Sequence, residues 1–147
     1  MTGAILSINA GSSSIKFGLF EPGEEALERV ADGKLERIGI APRLAIHDRS
    51  GEVVATREWP GGAQLTHEAL LEDLFGWAQE HLPHRPIAAV SHRVVHGGTG
   101  FTAPVLVDEA ILQQLEGLCA IAPLHQPHNL AAIRAIARLA PGLPQVA

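Results

Sequence analysis

The sequence predicts an α/β domain built on a mixed sheet with antiparallel N-terminal strands and flanking helices. Two observations carry this. The first sixty residues alternate apolar and polar positions between turn signals, which reads as five strands of a mostly antiparallel sheet. After Thr66 the apolar spacing switches to a helical period, and helices then alternate with short apolar runs. Composition agrees with one domain and a real core: of 147 residues, 46% are hydrophobic and 18% charged. Tyr is absent and Phe and Trp are few, so that core must be mostly Ala, Leu, Ile and Val.

Residues 3–9 and 15–21 read as paired strands, and Pro22-Gly23 marks the next turn. Residues 27–39 carry Leu27, Val30, Leu35 and Ile38, and Asp32-Gly33 within them signals a strand change or a bulge. Asp48-Arg49-Ser50-Gly51, flanked by Leu44, Ile46, Val53 and Val54, reads as a hairpin. Thr66 is a good helix cap, with Glu68 in the first turn. Leu70, Leu71, Leu74, Trp77 and Ala78 recur at helical spacing, and Pro83 and Pro86 close this helix. Ile87-Ala88-Ala89-Val90 opens a buried strand expected to run through Val94-Val95 and to end at Gly97-Gly98. Val105-Leu106-Val107 is a short extended piece, and Asp108 caps a helix over 109–117. Another helix starts near Pro127, carries Leu130, Ile133, Ile136, Ala137 and Leu139 to Ala140, and stops at Pro141-Gly142. Val146-Ala147 reads as the first residues of a strand, so the chain is expected to be a fragment.

Charge and cysteine usage exclude several classes. Net charge is -5 and the eleven basic residues are scattered, which argues against a nucleic-acid surface. Met1-Thr2-Gly3 brings no positive charge, so the first apolar run is not read as a signal peptide, and no apolar run reaches transmembrane length. Cys119 is the single cysteine, which rules out an internal disulfide and fits the expected cytoplasmic location.

Chemistry concentrates in two segments. In Ile8-Asn9-Ala10-Gly11-Ser12-Ser13-Ser14-Ile15-Lys16-Phe17, a Gly- and Ser-rich turn joins two strands and a Lys follows. Gly lets backbone approach an anion, Ser hydroxyls and turn N–H groups donate to phosphate oxygens, and Lys adds a point charge. The same residues also read as a plain Ser-rich hairpin turn. A Walker A loop is excluded, because no second Gly-Lys-Ser/Thr element is present. No Gly-x-Ser-x-Gly elbow surrounds Ser12, Ser13 or Ser14, so a hydrolase nucleophile is excluded too.

The second segment is Ser91-His92-Arg93-Val94-Val95-His96-Gly97-Gly98. If extended, it puts Arg93 and Val95 on one face and His92, Val94 and His96 on the other. A guanidinium beside an aliphatic group suits a small carboxylate with a short apolar tail. A surface Arg leading into a turn is the alternative. His92 and His96 lack a third ligand at metal spacing, and His125-Gln126-Pro127-His128 is equally weak as a metal site. His125, just ahead of a helix, reads as a donor or cation facing an anion, or as a His making a local cap bond.

Together these segments resemble the acetate kinase family, the acetate and propionate kinases of the acetokinase group. INAGSSSIKF resembles its first signature, SHRVVHGG its second (with Ser91 where Gly is usual), and APLHQPHNLAAI its Ala-Pro-Leu-His-Asn-Pro-x-Asn segment. PQVA resembles the lead-in to the family's next strand. The matches fall in family order along nearly the whole chain. The resemblance implies an actin-like, sugar-kinase-like (ribonuclease H-like) fold, of which residues 1–147 form the N-terminal lobe, without the C-terminal nucleotide-binding lobe. It implies reversible transfer of the ATP γ-phosphoryl group to acetate, giving acetyl phosphate and ADP, with Mg²⁺, in a homodimer, with no nucleic acid or membrane partner. By the same resemblance, Asn9 matches the metal-site asparagine. Ser12, Ser14 and Lys16 match nucleotide-phosphate contacts. Arg93 matches the carboxylate-binding arginine, Val95 and Leu124 the apolar methyl pocket, and His125 a histidine beside the transferring phosphoryl group. Gln126 replaces a usual Asn, and His128 a usual small residue. The family's catalytic aspartate lies beyond Ala147, so the isolated chain is expected to be inactive. Propionate kinase is the alternative within the class, and a non-catalytic ligand-binding or regulatory lobe is the alternative outside it. Butyrate kinases open instead on a motif more like Asn-Pro-Gly-Ser-Thr-Ser.

Overall fold

The computed structural model describes residues 3–81 and 86–147. Among them, seven strands form one mixed sheet. They are β1 (Ala4–Ala10), β2 (Ile15–Pro22), β3 (Leu27–Glu36), β4 (Arg43–Asp48), β5 (Val53–Glu58), β6 (Ile87–His92) and β7 (Gln145–Val146). The order across the sheet is β5-β4-β3-β2-β1-β6-β7. The first five strands pair antiparallel, as their short turns require, and β6 and β7 join parallel through helical crossovers. Residues 105–107 run antiparallel along the far side of β7: Val107 N–H donates to the Gln145 carbonyl, and Val105 and Ala147 exchange backbone bonds.

Helices α1 (His67–His81) and α2 (Glu109–Glu116) begin where the cap residues predict, and α3 (Gln126–Leu139) begins beside Pro127 with no side-chain cap bond from His125. Thr66 Oγ1 accepts from Ala69 N–H, and Asp108 Oδ1 accepts from Ile111 N–H. The alternation of β1 buries Ala4, Leu6, Ile8 and Ala10. Leu6, Ile8 and Ala10 pack in one cluster with Leu70, Leu71 and Leu74 of α1 and Ala132, Ala135 and Ile136 of α3. A smaller cluster joins Leu112 and Leu115 of α2 to Leu130 and Ile133 of α3.

Two sequence expectations meet a different outcome. Asp32-Gly33 does not interrupt its strand, since β3 is continuous and its irregularity faces Leu19/Phe20 instead. Gly33 is needed for close packing: a Cβ there would stand 2.4 Å from the Ala45 carbonyl oxygen and 2.5 Å from Phe17 Cζ. Second, β6 ends at His92 rather than running through Val95. Arg93 N–H still reaches the Ile8 carbonyl, but the next backbone groups turn to side chains of α3. Pro83, expected to close α1, lies outside the described residues.

Candidate active site

The carboxyl ends of the parallel neighbours β1 and β6 open onto the amino end of α3, the usual place for a ligand crevice in an α/β sheet. A cavity of about 250 Å³ lies there, lined by Asn9, Ala10, Gly11, Arg93, Val95, His125 and Asn129. Three segments far apart in sequence build it: the end of β1, the turn after β6, and the start of α3.

Each wall has a local cause. Gly11 N–H donates to the Ser14 carbonyl at 2.8 Å, and Ser13 O accepts from Ile38 N–H at 3.0 Å, which folds the Ser turn back on itself. His67, the first residue of α1, donates from Nε2 to the Gly11 carbonyl at 2.7 Å; a carbonyl only accepts, so that nitrogen carries the proton. The His67 ring stacks on His128 with centroids 5.0 Å apart. Burial, and then the neighbouring His67 and His125, hold the His128 imidazole below its ordinary pKa. In the turn after β6, Gly98 (φ 60°) donates to His96 Nδ1 at 2.8 Å, so this nitrogen is unprotonated. Ahead of α3, the Ala122 carbonyl accepts from both His125 and Gln126 N–H. That tight turn sets His125 on the cavity wall and leaves Leu124 73% exposed, outside the lining.

The structure thus brings together Asn9, Arg93, Val95 and His125. Arg93 and Val95 share this wall although they lie beyond the strand whose alternation predicts it. Ser12 and Ser14 adjoin the cavity through Gly11 without lining it. Lys16 is the cross-strand partner of Asn9, so it stands on the same face of the sheet, but it lines a separate hollow with Asp32, Lys34 and His47. Two residues the sequence reading leaves out belong to the site. Asn129 lines the cavity, and His67 ties down the Gly11 turn. Asn129 carries a legible signal, a polar residue inside the apolar stripe of an amphipathic helix.

Next to this wall lies a larger cavity of about 370 Å³ lined by His92, Arg93, Val94, His96, Phe101 and residues 102–105, so Arg93 borders both cavities. His92 is 7% exposed and donates from Nε2 to Gln145 Oε1 at 2.6 Å. Gln145 Nε2 in turn donates to the Ile133 carbonyl at 3.2 Å, which fixes the amide orientation. Burial pushes the His92 imidazole down to about 4, against the opposing pull of the Gln145 bond.

The sequence matches the model of the Acetokinase family over residues 4–147. The chain belongs to this family. An acetate kinase of Rhodopseudomonas palustris is 40% identical over 149 residues, covering 100% of this chain and 37% of its own length. One from Nitrobacter hamburgensis is 43% identical over 145 residues, covering 98% and 36%. Two solved structures share the fold at TM-score 0.81 and 30% identity: the acetate kinase of Porphyromonas gingivalis and a propionate kinase from Francisella tularensis, each covering 98% of this chain and 36% of its own. The sheet with its flanking helices is thus the actin-like architecture of acetokinases, and the chain spans little more than a third of the acetokinases it matches.

Proposed function

We propose that residues 1–147 are the N-terminal, carboxylate- and phosphate-gripping lobe of a short-chain carboxylate kinase. The reaction would be transfer of the γ-phosphoryl group of ATP to acetate. The observation that supports this most directly is the meeting of Asn9, Arg93, Val95 and His125 around one small cavity. In this reading a carboxylate oxygen forms the new bond to phosphorus while the bond to the ADP oxygen breaks. Such a transfer needs mainly positioning and charge neutralisation. Arg93 would pair both carboxylate oxygens, and Val95, 42% exposed, would cover the methyl group. His125 would donate to an equatorial oxygen of the moving group. Ser12, Ser14, the turn N–H groups and Lys16 would hold the donor's phosphates.

Mg²⁺ would supply charge neutralisation across the phosphates. Among the described residues no group of three His, Cys, Asp or Glu is placed to hold a metal, and the cavity lining contains no carboxylate. Asn9 would offer that cation an amide oxygen. The equal likeness to a propionate kinase favours a second reading with a three-carbon acid.

The test is a chimaera joining this chain to the part of the Rhodopseudomonas palustris acetate kinase it does not match. Acetyl phosphate trapped as hydroxamate, dependent on ATP, Mg²⁺ and acetate, is the expected result. A folded chimaera without turnover of acetate or propionate refutes the reading.

A further inference from the structure

Building on the functional reading above, we infer that Asn129 and Gln126 are positioning residues: two buried amides on α3 that clasp the carboxylate-side segment and the phosphate-side turn into one fixed arrangement. The segment after β6 has left the sheet, so its backbone groups need other partners. Asn129 Oδ1 accepts from Val95 N–H at 3.1 Å, and Gln126 Oε1 accepts from His96 N–H at 3.2 Å. Gln126 Nε2 donates to the His96 carbonyl at 3.0 Å and to the Leu115 carbonyl at 3.3 Å. Gln126 thus holds His96 from both sides of its backbone and ties it to the end of α2.

Asn129 does something different. Its Nδ2 donates to the Ala10 carbonyl at 2.6 Å while its Oδ1 holds Val95. One amide therefore bridges the residue between Asn9 and Gly11 to the residue two beyond Arg93. No other side chain among the described residues is seen bonding to both segments. The donor end faces a carbonyl and the acceptor end faces an N–H, so the amide orientation is fixed by its partners.

Burial shows that these bonds are costly to replace. Gln126 is 0% exposed and Asn129 is 4% exposed. Polar groups at such positions lose water and must be fully paired to be tolerated. Their neighbours on the same face of α3, Leu130 and Ile133, are apolar, and an apolar residue would pack the helix without that requirement. An amide at each position is explained by the backbone groups it holds. A shorter Asn at 126 keeps the chemistry but not the reach to both His96 and Leu115.

The two residues should separate kinetically. Asn129→Asp keeps an acceptor for Val95 but sets a carboxylate oxygen against the Ala10 carbonyl, so it loosens the Gly11 turn. In the chimaera it should raise the KM for ATP about tenfold and change the KM for acetate less. Gln126→Ala frees His96 and should raise the KM for acetate about tenfold, with the KM for ATP little changed. Gln126→Asn should recover part of that loss. A merely structural role would lower the amount of folded enzyme and leave both KM values alone, and that outcome overturns the inference. Amide exchange on the 147-residue chain is the second readout. In Asn129→Asp, Gly11 N–H should exchange faster while Val95 N–H stays protected; unchanged exchange at Gly11 refutes the clasp. If the unmodified chimaera folds but turns nothing over, the functional reading fails, and the exchange measurement alone judges the clasp.

Discussion

Acidification should unfold this chain through His92. The ring sits 7% exposed at the end of β6 and is held neutral, with Nε2–H spent on Gln145 and Nδ1 buried without a protein partner. Its pKa lies near 4 in the fold, against 6.5 for a free imidazole. The folded state therefore refuses a proton that the unfolded chain accepts. The stabilisation is complete above about pH 6.5 and is lost as pH falls from there to about 4. At about 1.4 kcal/mol per pH unit, that window is worth about 3 kcal/mol, a large share of an ordinary domain's stability. Urea unfolding followed by circular dichroism at pH 7, 6, 5 and 4 measures it. The reference is His92→Gln, which keeps a donor for Gln145 and cannot take a proton. The stability difference, wild type minus variant, should fall by about 3 kcal/mol between pH 7 and pH 4. Parallel curves for the two proteins would refute the assignment of a buried neutral His92.

Four further outcomes are expected. In the chimaera, Arg93→Ala should weaken carboxylate use by roughly 10- to 150-fold, the worth of a charged hydrogen-bonded contact of about 1.5–3 kcal/mol, and an unchanged KM and kcat for acetate would remove Arg93 from the site. Lys16→Ala should raise the KM for ATP more than that for acetate, as steady-state kinetics varying each substrate in turn will show. The isolated 147-residue chain should give no acetyl phosphate in a hydroxamate assay. Gly33→Ala should destabilise by about 1–3 kcal/mol in urea titrations, because its Cβ would stand 2.4 Å from the Ala45 carbonyl oxygen.

Local chemistry in this chain was legible before its long-range contacts. Thr66 and Asp108 cap helices because a hydroxyl or carboxylate beside free N–H groups is a short-range arrangement. The hairpin at 48–51 follows from Asp48, whose side chain accepts from Ser50 and Glu52 N–H, and from Gly51 at φ 89°. Apolar Val94 and Val95 look like strand, yet β6 ends at His92. The competing partners, Asn129 and Gln126, lie more than one element away. Asp32-Gly33 misleads for the opposite reason: turn chemistry is overridden by the tertiary need to seat the Phe17 ring. Leu124 illustrates a further limit. Its neighbour His125 reaches the cavity wall, but the turn ahead of α3 gives adjacent residues opposite destinations.

The clasp at Asn129 also bears on how the chain folds. The hydrogen bond to Ala10 spans 119 positions, whereas β1 through β5 pair with their immediate neighbours in sequence. Chain closure costs more entropy as the loop lengthens, and such contacts pay off only once both ends are already ordered. The antiparallel meander can therefore zip up while α3 is still undocked, and during synthesis it can do so before α3 has left the ribosome. The tie from Ala10 to Val95 forms only when α3 docks. In this chain, the sheet and the link between the two cavity walls are acquired at different times, so a sheet-rich chain is not yet one whose cavity is assembled.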